Sequence, residues 1–341
     1  MHSGTQARKY LMLAIGAAVV VALALGFLGT RKQPPAPPAT IETLRLALPS
    51  LPHAALLHIA AEKGYFVEEG LQLTITPTTH GKVALELVVQ RKADLAAAAE
   101  VPFVLGVMKG EAIGNAASML SVSNDSAVVA RRDRGIAAPR DLVGKKIGVT
   151  LGTSGEYFLW AFMIRHRLAP DSVTLVDIPP DKTAQALVDG SIDAAATWQP
   201  IVFDAQTALG KNALLFTEAQ AYTLNFLLIG EQLFLKNHPR AIEKFIRAML
   251  KAEQFNRSQP EQALNLVAGR LKVEVDSLRP AWRNFEFQVD LQQSQLLTLE
   301  DESRWAMERG YAPAGPVPNF LPHLYLDALL AVKPERVTVV R

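Results

Sequence analysis

Cysteine is absent from this 341-residue chain. Without a thiol, the chain has no disulfide scaffold, no thiolate zinc site, no iron–sulfur cluster and no cysteine nucleophile. It also lacks an N-terminal cysteine for lipid attachment, a common anchor of exported bacterial proteins. Apolar burial must therefore stabilise the fold, and 49% of the residues are hydrophobic. A chain of this length is long enough for roughly two domains.

Excess charge and catalytic motifs are also missing. The formal net charge is +2, with 35 basic and 33 acidic residues, so no concentrated basic face for nucleic acid is indicated. The seven histidines include no His-Glu-x-x-His pair, and the sequence has no phosphate loop. The stretch from Gly152 to Gly155 is not a Gly-x-Ser-x-Gly nucleophile elbow. The sequence thus predicts no enzyme active site, no metal and no cofactor.

The N-terminal segment is apolar. Residues 10–30 carry no charge and as a helix would be about 31 Å long, near the thickness of a bilayer core. A cleaved signal peptide is the alternative, but residues 26–29 fit a small-x-small cleavage site poorly. We therefore expect residues 1–30 to form an uncleaved transmembrane anchor. Residues 31–41 are proline-rich and predict a stiff linker.

Strand-like and helix-like segments alternate after the linker. Apolar runs at 44–48, 71–76 and 94–98 predict strands separated by helices, and the pattern restarts at 146–150, 173–178 and 192–197. This alternation predicts α/β architecture with parallel strands. A return strand at 224–230 precedes helices. We expect one lobe from residues 42–130 plus about 218–341, and a second lobe from residues 131–217.

Several motifs carry a resemblance to a known family. They occur in order at residues 60–71 (AAEKGYFVEEGL), 140–149 (RDLVGKKIGV), 152–154 (GTS), 189–194 (DGSIDA), 198–200 (WQP) and 319–325. Together they resemble the nitrate/sulfonate/taurine-type substrate-binding proteins of ABC transporters. The sequence departs from that pattern at Gln199, where the family usually has Glu, and in its anchor.

The resemblance implies a two-lobed periplasmic-binding-protein fold (type II), which closes on a ligand and delivers it to an ABC permease. The ligand would be a small anionic or zwitterionic solute such as a sulfonate, taurine or nitrate. We expect a monomer in the cell envelope, anchored to the inner membrane or secreted to the periplasm. The alternatives are a membrane-tethered sensor or accessory domain with the same cleft, and an enzyme of small-molecule biosynthesis on this fold.

Candidate ligand residues lie where predicted strands end, because ligands of α/β proteins bind at the carboxyl ends of strands. Gly152, Thr153 and Ser154 precede a helix, whose free N–H groups and dipole favour an anion. The alternative for this segment is a capping box between Thr153 and Glu156. The remaining candidates are Ser50, Leu51, His53, His80, Glu100, Tyr157, Trp198 and Asn225. Two roles are open for Glu100, as the partner of a ligand ammonium or as the first residue of the next helix, where the dipole favours it. Two are open for Trp198, as a wall against the ligand or as packing against the neighbouring helix.

Overall fold

A computed structural model describes residues 41–218 and 221–340. The expected membrane anchor and the proline-rich linker lie outside these residues. Within the described residues, no helix is both long enough and apolar enough to span a bilayer. Residues from Ile41 onward form a single compact unit.

Ten strands form the framework. They are β1 (Glu42–Pro49), β2 (Leu71–Thr78), β3 (Leu95–Ala99), β4 (Ile113–Val122), β5 (Ser126–Arg131), β6 (Lys146–Val149), β7 (Thr174–Asp177), β8 (Ala194–Trp198), β9 (Ala213–Thr217) and β10 (Leu224–Glu231). They form two five-stranded sheets, with the orders β2-β1-β3-β10-β4 and β7-β6-β8-β5-β9. We call the two sheets with their helices the first and second lobes. The expected two-lobed α/β fold is therefore confirmed.

Thirteen helices within the described residues cover the sheets. They are α1 (Ala55–Glu62), α2 (Tyr65–Glu68), α3 (Gly81–Val89), α4 (Glu100–Met108), α5 (Ser154–Arg165), α6 (Thr183–Asp189), α7 (Ile201–Leu209), α8 (Gln232–Asn237), α9 (Pro239–Ser258), α10 (Pro260–Leu271), α11 (Val275–Trp282), α12 (Gln293–Glu308) and α13 (Asp327–Val332). The C-terminal helices belong to the first lobe: α9 packs on α1 and α2, and α12 packs on α4.

The two sheets have the same plan. In each, the second strand of the order (β1 or β6) pairs in parallel with both neighbours, and the central strand (β3 or β8) pairs on its other side with an antiparallel strand. That antiparallel strand is β10 in the first sheet and β5 in the second, and each follows a crossing of the chain between lobes. The sequence analysis placed residues 126–130 in the first lobe, but Ser126–Arg131 pairs with β8 and β9 in the second sheet. These ladder hydrogen bonds decide the assignment.

Small residues let helices approach the central strands closely. β3 has the sequence LAAAA and β8 the sequence AAATW, and every residue of both is buried. At the start of α3, a Cβ on Gly81 would lie 2.6 Å from the Cα atom of Ala98 in β3. At the start of α5, a Cβ on Gly155 would lie 3.2 Å from the carbonyl oxygen of Ala196 in β8. Each lobe thus presses a helix N-terminus against a central strand, at the edge that faces the other lobe.

Candidate functional site

A small cavity lies between the lobes, at the carboxyl ends of the parallel strands. Its volume is about 20 Å³, which is room for roughly one water molecule. Its lining comes from loops and strands of both sheets: Leu51, His53, His80, Gly81, Lys82, Ala99, Pro102, Thr153, Ser154, Trp198, Leu224 and Phe226. The structure therefore brings together six of the residues that the sequence singled out, namely Leu51, His53, His80, Thr153, Ser154 and Trp198.

The N-terminus of α5 reaches this cavity. Thr153 and Ser154 are buried, and the first backbone bonds of the helix run from the N–H groups of Glu156 and Tyr157 to the Thr153 carbonyl. The N–H groups of Ser154 and Gly155 precede those bonds and have no intrahelical acceptor. With the positive end of the helix dipole, they favour an anion.

The capping box considered for this helix does not form. The Thr153 hydroxyl donates to the Thr150 carbonyl at 2.7 Å instead of receiving a bond from the helix. The Glu156 carboxylate accepts the Gly152 N–H at 2.7 Å and the Tyr311 hydroxyl at 2.6 Å. Burial and this hydrogen bond raise the pKa of Tyr311, which keeps its proton. The Gly152 N–H is therefore bonded to Glu156. Gly152 is not among the residues that line the cavity.

His53 is held by a residue that the sequence analysis missed. Its Nε2 atom lies 2.9 Å from Oδ2 of Asp125, and each side chain is 2% exposed. The rings of Phe226 and Phe285 pack on the imidazole at 5.5 and 5.1 Å. Asp125 directly precedes β5, at the crossing between the lobes. An acidic residue just before this apolar strand was the feature of the sequence that could have pointed to it. His53 Nδ1 has no hydrogen-bond partner within the described residues, so this buried atom remains for a ligand.

Trp198 supplies an unpartnered donor. It ends β8, is 4% exposed, and its Nε1–H has no acceptor in the described part of the chain. An indole N–H can only donate. Ser126 lies opposite Trp198 across the β5–β8 ladder, and its buried hydroxyl has no partner among residues 41–218 and 221–340 either. A ligand with acceptor oxygens satisfies such donors.

Lys82 gives the cavity its positive charge. Its ammonium donates to the carbonyl oxygen of Leu151 at 3.0 Å, a contact from the first lobe to the second. His80 lies nearby, with Nδ1 2.9 Å from the Thr79 hydroxyl. Burial and then the charge of Lys82 lower the pKa of His80, so its imidazole is neutral near pH 7. The ammonium of Lys82 is thus the positive charge of the cavity lining.

Five predicted site residues lie outside the cavity lining: Ser50, Glu100, Gly152, Tyr157 and Asn225. Ser50 is exposed, and its N–H donates to the Thr78 carbonyl. Tyr157 points into an aromatic cluster, with its ring 5.1 Å from that of Tyr222 and 5.5 Å from that of Trp305. The Tyr157 ring therefore packs against other aromatic side chains of the protein.

Glu100 contacts the chain itself. Its Oε1 atom accepts the backbone N–H of Asn225 at 2.7 Å and the side-chain amide at 3.3 Å. Burial raises the pKa of Glu100 to about 7. Burial, followed by the charge of Glu100, raises the pKa of Glu302 well above its ordinary value. The carboxyl that was expected to meet a ligand ammonium is instead part of a buried acidic pair between α4 and α12.

Comparison with known families shows which family the chain belongs to. The profile described as "NMT1/THI5 like" matches residues 52–263, more than half of the chain. The chain belongs to this family. The resemblance seen in the sequence motifs is thereby confirmed.

Relatives include both binding proteins and enzymes. A Bacillus subtilis protein assigned to aliphatic sulfonate binding is 27% identical over 219 residues, covering 62% of this chain and 64% of that one. A Saccharomyces cerevisiae 4-amino-5-hydroxymethyl-2-methylpyrimidine phosphate synthase is 24% identical over 226 residues, covering 62% of this chain and 66% of that one.

A solved structure establishes the fold independently. The alkanesulfonate-binding protein SsuA from Xanthomonas axonopodis pv. citri, bound to MOPS, superposes with a TM-score of 0.74 at 15% identity. The match covers 85% of this chain and 99% of that one. The chain therefore has the periplasmic-binding-protein fold.

Proposed function

We propose that this protein is the solute-binding subunit of an ABC importer and captures a small sulfonate-type anion between its lobes. The observation that carries the proposal is the convergence of hydrogen-bond donors and a positive charge on one cavity. Trp198 Nε1–H has no acceptor in the described residues, while α5 points its N-terminus and Lys82 its charge at the same cavity. Such groups bind oxyanions through charge-assisted hydrogen bonds. The sulfonate-binding relatives support the further proposal that the ligand is delivered to a permease.

The rest of the lining favours a ligand with an apolar tail. Leu51, Pro102, Leu224 and Phe226 supply apolar surface, and no Asp or Glu of the described residues lines the cavity. The ammonium of an aminosulfonate such as taurine would therefore lose its hydration without gaining a carboxylate partner, which costs free energy. We infer that alkane- or arylsulfonates bind more tightly than taurine.

Ligand entry requires the lobes to separate. The cavity of about 20 Å³ holds roughly one water molecule, which is less than a sulfonate group needs. Contacts between the lobes hold this compact state: Lys82 to Leu151 at 3.0 Å, Tyr311 to Glu156 at 2.6 Å, and Trp160 Nε1 to Glu308 at 3.1 Å. We propose hinge motion about the two crossings, with ligand stabilising a closed state. We also propose a periplasmic location, with residues 1–30 as the membrane anchor.

Isothermal titration calorimetry of the purified full-length protein tests the proposal. The ligands are ethanesulfonate, butanesulfonate, benzenesulfonate, taurine and nitrate. We expect saturable binding of the uncharged-tail sulfonates and at least about tenfold weaker binding of taurine, because its ammonium is left unpaired. Folded protein that binds none of the sulfonates contradicts the function. Taurine as the tightest ligand contradicts the inference about the tail.

A further inference from the structure

A second, larger cavity lies on the opposite face of β10. Leu224 and Phe226 face the interlobe cavity, and Asn225 between them lines the second one. Successive side chains of a strand point to opposite faces of its sheet, so β10 separates the two cavities. The second cavity has a volume of about 630 Å³, within the range of small-molecule sites.

The backbone around this cavity is fixed. The segment that follows α11 runs beside β4, with the Ser118 N–H donating to the Asp290 carbonyl at 2.8 Å and the Ser121 N–H to the Glu286 carbonyl at 3.0 Å. The return bonds, from Asp290 to Ser118 and from Glu286 to Ser121, are also present. These bridges satisfy the backbone hydrogen bonds of the wall, so its side chains remain available to a ligand.

The inner wall presents acceptors. Gln295 is 5% exposed and its Oε1 atom has no donor within the described residues. Asp290 is 7% exposed, and its Oδ2 atom accepts the side-chain amides of Gln288 and Gln292. Burial raises the pKa of Asp290, and Glu253 adds to this, while the two amides and Arg336 oppose it. A positive ligand at this wall would stabilise the ionised carboxylate.

The charge of the lining has one sign. Glu286, at the exposed rim, and Asp290, at the inner wall, are acidic, and the other lining residues are neutral amides, hydroxyls and one phenylalanine. In the part of the chain that the structure describes, no Lys or Arg lines the cavity. Within residues 41–218 and 221–340 no group of three or more potential metal ligands occurs, and the cavity is far larger than a bare ion. A ligand that fits this cavity is therefore positively charged, has hydrogen-bond donors and is larger than a bare ion.

We propose that this cavity is a second ligand site, which binds a small organic ammonium ion. Its N–H groups would donate to Gln295 Oε1 and to the carboxylates of Asp290 and Glu286. The site is independent of sulfonate binding, because the two cavities lie on opposite faces of the sheet and have opposite charge requirements. The same protein would thus bind an anion between its lobes and an amine at the edge of the first sheet.

Calorimetric titration of the full-length protein with 1,4-diaminobutane tests this second site. Tetramethylammonium supplies charge without N–H donors, and glycerol supplies donors without charge. We expect 1,4-diaminobutane to bind at least about tenfold more tightly than either, since charged hydrogen bonds exceed neutral ones. Asp290→Asn and Glu286→Gln should each weaken the binding of 1,4-diaminobutane by roughly three- to tenfold. Glu274→Gln, an exposed carboxylate outside the lining, is the matched control.

The outcomes separate this proposal from the proposed function. Titration of butanesulfonate into the same variants should be unchanged within about twofold, since the sites are separate. Equal binding of glycerol and 1,4-diaminobutane overturns the ammonium assignment. Amine binding that survives both variants, or is lost equally in Glu274→Gln, overturns the site. Glu286 lies on the exposed rim, so Glu286→Gln remains informative if Asp290→Asn unfolds.

Discussion

His53 and Asp125, 72 residues apart in the chain, form a buried pair in which Nε2 lies 2.9 Å from Oδ2. The carboxylate accepts the Nε2 proton and so fixes the orientation of the ring. Nδ1 is then left as an unpaired hydrogen-bond acceptor. Because Asp125 lies at the crossing into the second lobe, the pair also links that crossing to the interlobe cavity.

Removal of Asp125 should destabilise the protein. Asp125→Ala leaves a buried imidazole N–H without an acceptor, which costs about 1–3 kcal/mol. Urea unfolding followed by circular dichroism measures the loss. Asp181→Ala removes a carboxylate that is 56% exposed and should change the unfolding free energy by less than about 0.5 kcal/mol. Equal effects of the two variants would contradict a structural role for the pair.

The Trp198 indole N–H should contribute to anion affinity. Trp198→Phe keeps an aromatic ring at the cavity and removes only the donor, so we expect sulfonate affinity to fall by roughly fivefold, the value of one net hydrogen bond. Calorimetric titration with butanesulfonate measures it. Trp282→Phe makes the same change at a buried tryptophan outside the cavity and should leave affinity intact. An unchanged Kd for Trp198→Phe would remove this donor from the site.

The Tyr311 hydroxyl should favour the compact state, whose cavity is too small for a sulfonate. Tyr311→Phe removes a 2.6 Å hydrogen bond from the first lobe to Glu156 in the second. Hydrogen bonds to charged groups are worth about 1.5–3 kcal/mol, so the population of the compact ligand-free state should fall and the sulfonate affinity should rise by roughly tenfold. Small-angle scattering with and without butanesulfonate follows closure. Tyr325→Phe is the control, and the hypothesis fails if both variants bind equally well.

Stability should depend on the ionisation of Glu100. Burial raises its pKa from 4.5 to about 7, so between these values the folded state retains a proton that the unfolded state releases. The unfolding free energy should therefore fall as pH rises through this window, by roughly 3 kcal/mol at most. Glu100→Gln stays neutral and should flatten this fall, measured by urea unfolding from pH 4.5 to 8. Glu86→Gln, at an exposed position, should leave the profile unchanged.

The alternation of strands and helices could be predicted from the sequence because buried strands have distinctive apolar runs. The expected strand at 71–76 appears as Leu71–Thr78, and the one at 224–230 as Leu224–Glu231. The sequence analysis missed Ile113–Val122, since its sequence IGNAASMLSV mixes Gly, Asn and Ser with apolar residues. This segment is a strand because β10 pairs with one edge and the 286–290 segment bridges the other.

Placement of the site could be predicted only in part. Residues after strand ends lie close together, because carboxyl ends of parallel strands meet at one edge, and six of the candidates line the cavity. Their role in binding stays a prediction. Glu100 and Asn225 bond to each other instead. A sequence shows that a carboxyl follows a strand, but not which neighbour satisfies it.

The sequence by itself determined the family, the α/β alternation and the exclusion of thiol chemistry, since composition and local motifs carry these. Tertiary structure alone decided that His53 meets Asp125 and that Ser126–Arg131 belongs to the second sheet. It also decided that Asn225 faces away from Leu224 and Phe226. These relationships depend on strand pairing and on the packing of distant segments. Both are determined by hydrogen bonds and apolar burial between residues far apart in the chain.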